Sequence, residues 1–270
     1  MPKIIPYLVV VFIYLAVAVD YWRTPKIDEK PQHLKLHSAM VALGLFIHGF
    51  LLYQSIFADG FNLGFYFALS AIFWLTVLIY WLADFHHQLT NLQAFVLPPA
   101  AIFALLPAFT ESDHYVPLTE VNSVIFIVHI AIAIFAYSLF TFAALHALLM
   151  AVAERTLQHK PSLIKLPSFP PLLVMETLLF KVITLGFILL TLTLISGMVF
   201  SKEIFGEPLQ LTHKIIFSIA SWIIYGALLF GRYQYGWRGL KAVRWTLVGF
   251  VLLLLAYVGS KFILQVLLHR

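Results

Sequence analysis

Two histidines stand inside apolar runs of this chain. His48 lies within AMVALGLFIHGFLLYQSIF (Ala39–Phe57), and His129 lies within SVIFIVHIAIAIFAYSLFTF (Ser123–Phe142). Both runs are nearly free of charge and long enough to cross a bilayer, which takes about 20 apolar residues. An ionisable ring in hydrocarbon is costly, so each needs a partner, a cofactor or a substrate. A neutral imidazole nitrogen is a good iron donor, and two such rings on facing helices could hold one haem iron from both sides. The plainer alternative is a neutral ring hydrogen-bonded to a neighbouring helix, which adds order but no chemistry.

The elements that must carry these rings are membrane helices. Of 270 residues, 62% are hydrophobic and only 11% charged, and mean hydropathy is +0.95. Soluble chains carry roughly 25% charged residues, so the composition is that of an all-α polytopic membrane protein. The net charge of +5 is spread over a few loops, a pattern of membrane orientation and not of nucleic-acid binding. With no cysteine, disulfides and thiolate metal sites are excluded.

Hydropathy predicts a bundle of about eight transmembrane helices, at roughly 4–22, 37–57, 63–82, 91–109, 123–151, 178–200, 213–231 and 245–267. Pro98, Pro99 and Pro107 predict a kinked or broken fourth span, because proline removes a backbone donor and clashes with the preceding turn. The fifth span runs on to Glu154, and Leu172–Phe180 reads as an interfacial segment leading into the sixth, with Glu176 and Lys181 at headgroup level. The first span has signal-peptide features around Ala16-Val17-Ala18, yet cleavage would put a basic loop outside. An uncleaved helix is expected.

Lys and Arg gather after span one (Arg23, Lys26, Lys30, Lys35), span five (Arg155, Lys160, Lys165) and span seven (Arg232, Arg238, Lys241, Arg244). These loops are expected to face the cytoplasm, and both termini the periplasm. His48 then sits about 13 Å below the outer surface and His129 about 10 Å, at 1.5 Å per residue. His213 and His269 fall at outer ends of spans. His146 shares a helix with His129 but is about 25 Å further along it, so the two cannot hold one ion.

Competing chemistries fit less well. Zinc needs about four donors at short local spacings, and the one adjacent pair, His86-His87, is in a loop. No Gly-x-Ser-x-Gly elbow is present. An ion pathway would need acids within the spans, whereas Asp20, Asp59, Asp84, Glu154 and Glu203 sit near their ends.

Three stretches resemble one family. VHIAIAIFAYSLFTFAALHALL (128–149) is similar to its histidine-led helix, with a Tyr eight residues on (His129 and Tyr137). ITLGFILLTLTLISGMVF (183–200) resembles the helix before its tryptophan-rich signature. LVGFVLLLLAYVGSKFILQVLLH (247–269) resembles its last helix, with Tyr-x-Gly and a terminal His. The family is the cytochrome c assembly family of CcsA-type membrane haem-handling proteins. METLLFKVITLGF, HKIIFS and GRYQYGWRG fit its eight-span, YpjD-like inner-membrane branch.

The resemblance implies an inner-membrane protein that binds or relays haem near its outer face, without being an enzyme. It implies His129 and His269 as axial candidates for haem iron, with His213 and His48 as further haem-binding candidates. Implied partners are membrane lipids, haem and cytochrome c assembly or other inner-membrane proteins. It covers 121–270 of a single transmembrane domain, leaving 1–120 less family-like. Haem-handling members carry a Trp-Gly-x-x-Trp-x-Trp-Asp loop where this chain has SKEIFGEPLQLTHK (201–214), with neither Trp nor Asp. Trp faces stack on a porphyrin. Their loss raises the alternative of a non-catalytic subunit that keeps the fold and stabilises or regulates a membrane partner. A carrier for another solute is a third option.

Overall fold

The computed structural model describes residues 4–23, 31–57, 64–87, 90–109, 124–158, 170–199 and 213–259. All are helical apart from short turns. The helices are α1 (Ile4–Arg23), α2 (Pro31–Phe57), α3 (Phe65–His87), α4 (Thr90–Leu105), α5 (Val124–Gln158), α6 (Leu172–Val199), α7 (His213–Tyr235) and α8 (Gly239–Leu254). A 3-10 turn (Leu106–Phe109) extends α4, and a π turn (Leu255–Gly259) extends α8. All eight helices are long and apolar enough to cross a membrane, α4 and α8 together with these extensions. Several bounds differ from expectation, two helix starts among them. The interfacial segment at 172–180 is simply the first turns of α6, and the last helix begins at Gly239 rather than 245. Both starts are masked in the sequence by charged residues (Glu176, Lys181, Lys241, Arg244) that hydropathy windows penalise.

The chain forms two compact units, one of residues 1–118 with 155–174, the other of 119–154 with 175–270. In the first unit α1 packs on α2 and α4, and α3 packs on the same two helices. That closes an up-and-down four-helix ring in chain order. Three tyrosines seven residues apart line the buried face of α1: Tyr7, Tyr14 and Tyr21. Their spacing keeps them on one stripe. Tyr7 Oη lies 2.8 Å from Ser55 Oγ, and the Tyr21 ring lies 4.6 Å from that of His37. His37 Nε2 is 2.7 Å from Asp20 Oδ2, so the ring donates to the carboxylate.

The helix does not break at Pro98-Pro99; α4 runs through both and tightens to 3-10 only at Leu106. Pro98 has no N–H, so the carbonyl four residues earlier, on Ala94, loses its helical donor. Trp22 Nε1 donates to that oxygen at 3.2 Å, and its indole meets Phe95 edge-on at 5.0 Å. A neighbouring helix thus supplies the hydrogen bond that proline removes.

The second unit is held by an aromatic pair between two glycines. Phe140 on α5 stacks on Tyr225 of α7 at 4.0 Å. A methyl group at Gly186 on α6 would stand 3.1 Å from the Phe140 ring, and one at Gly249 on α8 would stand 2.9 Å from the Tyr225 ring. Four helices therefore meet in one layer where two side chains are absent and two are large. Tyr225 and Ser221 also donate to the carbonyls of Thr246 (3.2 Å) and Gly249 (2.8 Å) on α8.

Candidate haem-binding site

His129 stands in the second turn of α5, half-buried. Its Nδ1 lies 2.8 Å from Ser196 Oγ on α6. Ser196 is held in turn, since its hydroxyl donates to the Thr193 carbonyl at 3.2 Å. A serine has one hydroxyl proton. Where that proton is directed to Thr193, Ser196 accepts from His129 and the ring proton sits on Nδ1. A hydroxyl that orients one ring nitrogen while the other carries the donor pair is the usual second-shell arrangement of a metal-ligating histidine. Gly197 keeps the approach narrow: a Cβ there would lie 3.4 Å from His129 Cε1. The ring thus stands between α5 and α6 with Nδ1 on a hydroxyl of α6.

Hydroxyls recur along α6. Thr184, Thr191 and Thr193 donate to the carbonyls of Phe180, Phe187 and Leu189 within their own helix. Thr191 also reaches across helices, accepting from Trp222 Nε1 of α7 at 2.8 Å. The Trp222 indole stacks on Phe187 at 5.4 Å. Deeper along α5, Tyr137 is hydrogen-bonded to Ser218 of α7, and its ring lies 5.6 Å from that of Tyr257 in the π turn. These polar contacts were not read from the sequence beyond Tyr137 itself. Their signal was spacing on α7, where Ser218 and Trp222 are four residues apart on one face.

The remaining histidines divide by surroundings. His213 opens α7 and is exposed. His269 lies outside the described residues, as does SKEIFGEPLQL (201–211). His48 belongs to the first unit and is fully buried. Its Nε2 is 2.9 Å from Ser70 Oγ, and its Nδ1 is 3.4 Å from Tyr14 Oη. Iron ligation by His48 would break one of these bonds. Gly44 on α2 admits the Tyr14 ring, which a Cβ would meet at 2.7 Å. His146, fully buried, lies with Nε2 3.0 Å from the Met175 carbonyl. Among the described residues no three His, Cys, Asp or Glu side chains group to hold a metal ion; a haem iron asks less, since the porphyrin supplies four donors and the protein one or two.

A family model described as cytochrome C assembly protein matches residues 36–268. The chain belongs to the cytochrome c assembly protein family. Two curated relatives add detail. Inner membrane protein YpjD of Escherichia coli (strain K12) is 33% identical over 174 residues, covering 63% of this chain and 64% of that one. Cytochrome c biogenesis protein CcsA of Prochlorococcus marinus (strain MIT 9301) is 37% identical over 89 residues, covering 33% of this chain and 29% of that one. The chain therefore spans 64% of the first relative's length and less of the second's. Recognition of the family from three helices and of its YpjD-like branch is borne out, as is the all-α bundle of eight spans.

Proposed function

We propose that this protein is a multi-pass inner-membrane factor that binds or relays haem at His129, near its outer face. The observation that carries the reading is the bond from His129 Nδ1 to Ser196 Oγ, within the stretch that the family model matches. Haem would supply the iron and the redox chemistry. The chain's own work is to fix the imidazole, hold its proton on Nδ1 and exclude water with the apolar α5 and α6 surfaces around it. Ligation and positioning, not bond-making on a substrate, would be the activity. Candidates for the second axial donor are His213 at the start of α7 and His269. His48, held on both nitrogens, has a structural part in this reading. Both termini face the periplasm, following the basic loops.

Partners in this reading are haem, lipids and other cytochrome c assembly proteins. One sequence observation favours the alternative of a non-catalytic subunit: residues 201–214 contain no Trp and no Asp. A deletion strain separates the two readings. Its c-type cytochrome content should fall and return with the wild-type chain but not with His129→Ala. Full recovery by His129→Ala, or unchanged cytochrome c on deletion, would favour the subunit.

A further inference from the structure

The turn between α7 and α8 gathers four cations at one end of the second unit: Arg232, Arg238, Lys241 and Arg244. Two of them are already spent. Glu176 of α6, buried, accepts from Arg232 Nη1 at 2.7 Å and from Arg238 Nε at 3.0 Å, and the Gly239 amide points at its other oxygen at 3.4 Å. Gly236 and Gly239 take positive φ, 62° and 55°, which lets the chain reverse in three residues. Trp237 folds back over Gly231, where any Cβ would clash with the indole. Lys241 Nζ then lies 3.9 Å above that indole, and Trp245 packs beside it at 5.1 Å.

Lys241 and Arg244 have no carboxylate within ion-pair distance among the described residues. They also stand at the wrong end of a helix. The first turn of α8 carries no acid, although a helix N-terminus holds roughly half a positive charge and favours anions. Arg238, the N-cap, makes no side-chain capping bond. Arg238, Lys241 and Arg244 are three residues apart, so they share one face of the first turns. Against four cations stand Glu176 and Glu154, whose carboxylate lies beside Gly239. The cluster keeps a surplus of two positive charges plus the helix terminus.

The aromatic residues fix the depth of this surplus. Tyr233 and Tyr235 are exposed, and with Trp237 and Trp245 they form the belt that marks a membrane–water interface. At that depth the abundant anion is the phosphodiester of a lipid headgroup. We propose that Lys241 and Arg244, on the frame set by Glu176 and Trp237, form a binding site for the headgroup phosphate of an anionic phospholipid. The site does not depend on haem binding.

The test uses the purified full-length protein in neutral detergent and native mass spectrometry of retained lipid. Phosphatidylglycerol, phosphatidylcholine and inorganic phosphate are titrated separately. Wild type should hold phosphatidylglycerol in preference to phosphatidylcholine, and inorganic phosphate should not displace it. At about a fivefold affinity change per basic side chain near the headgroups, Lys241→Gln with Arg244→Gln should weaken retention roughly 25-fold. Lys241→Arg with Arg244→Lys should keep it. Equal retention of the two lipids by wild type, or wild-type retention by the double glutamine variant, overturns the proposal. Displacement by inorganic phosphate at lipid-like concentration overturns the lipid assignment and leaves a soluble-anion site. Should the glutamine variant not fold, a photoreactive phosphatidylglycerol on wild type decides. Labelling within 237–245 supports the site, and labelling spread over other interfacial segments overturns it.

Discussion

Replacing Glu176 by Gln keeps the side chain's shape and removes its charge. The Glu176 side chain is 7% exposed, against 31% for Arg232 and 57% for Arg238. Those exposures rank the two ion pairs. A charge-assisted hydrogen bond in a largely buried setting contributes about 1.5–3 kcal/mol, which suits Arg232, whose guanidinium also lies 4.6 Å over the Phe180 ring. A pair with one exposed partner contributes roughly 0.2–1 kcal/mol, which suits Arg238. Glu176→Gln should therefore cost about 2–4 kcal/mol, since an uncompensated Arg232 is left half-buried. The assay is reversible unfolding in mixed micelles, run as two double-mutant cycles. Coupling between Glu176→Gln and Arg232→Gln should be about 1.5–3 kcal/mol, and coupling to Arg238→Gln below about 1 kcal/mol. Equal couplings, or a loss below about 0.5 kcal/mol for Glu176→Gln, the level of an ordinary surface change, would refute the clamp.

Three further outcomes follow from the packing. Trp22→Phe keeps an aromatic ring but strands the Ala94 carbonyl opposite Pro98; unfolding of the variant should show a loss of about 1–3 kcal/mol. A Pro98→Ala change in the same background restores the helical donor and should recover part of that loss. Gly249→Ala drives a methyl to 2.9 Å from the Tyr225 ring and should cost roughly 1–3 kcal/mol by overpacking, again by unfolding in micelles. His48→Phe removes the partner of both Ser70 and Tyr14; it should lower thermal stability in detergent while leaving any haem spectrum unchanged.

Much of the bundle was legible because hydropathy is local. Each span carries its own 20-residue apolar run, and the prolines, the acidic ends and the basic loops punctuate them. The tyrosine stripe at Tyr7, Tyr14 and Tyr21 was not read from the sequence, although it is a strict seven-residue repeat on one helix face. What spacing along one helix cannot give is the partner on another. Glu176 reads as a headgroup-level charge and Arg232 as one of the loop cations that set orientation, and only the fold brings them to 2.7 Å. Pro98 reads as a helix breaker, yet the backbone carbonyl it leaves without a donor is answered by Trp22 of another helix, which spacing did not single out. His129 and His48 looked alike in sequence, two rings in two apolar runs. The structure separates them by their neighbours. His48 faces two side-chain partners in a sealed core, while His129 is half-buried with its Nδ1 on Ser196 of the next helix.

That contrast makes His129 the point on which the account turns. The most direct measurement is the absorption spectrum of the purified wild-type protein and its His129→Ala variant after growth with ample haem. The account predicts a Soret band in the wild type, lost in His129→Ala and weakened in Ser196→Ala, whose imidazole has lost its orienting hydroxyl. A wild type with no Soret band, or a band that survives in His129→Ala, contradicts it.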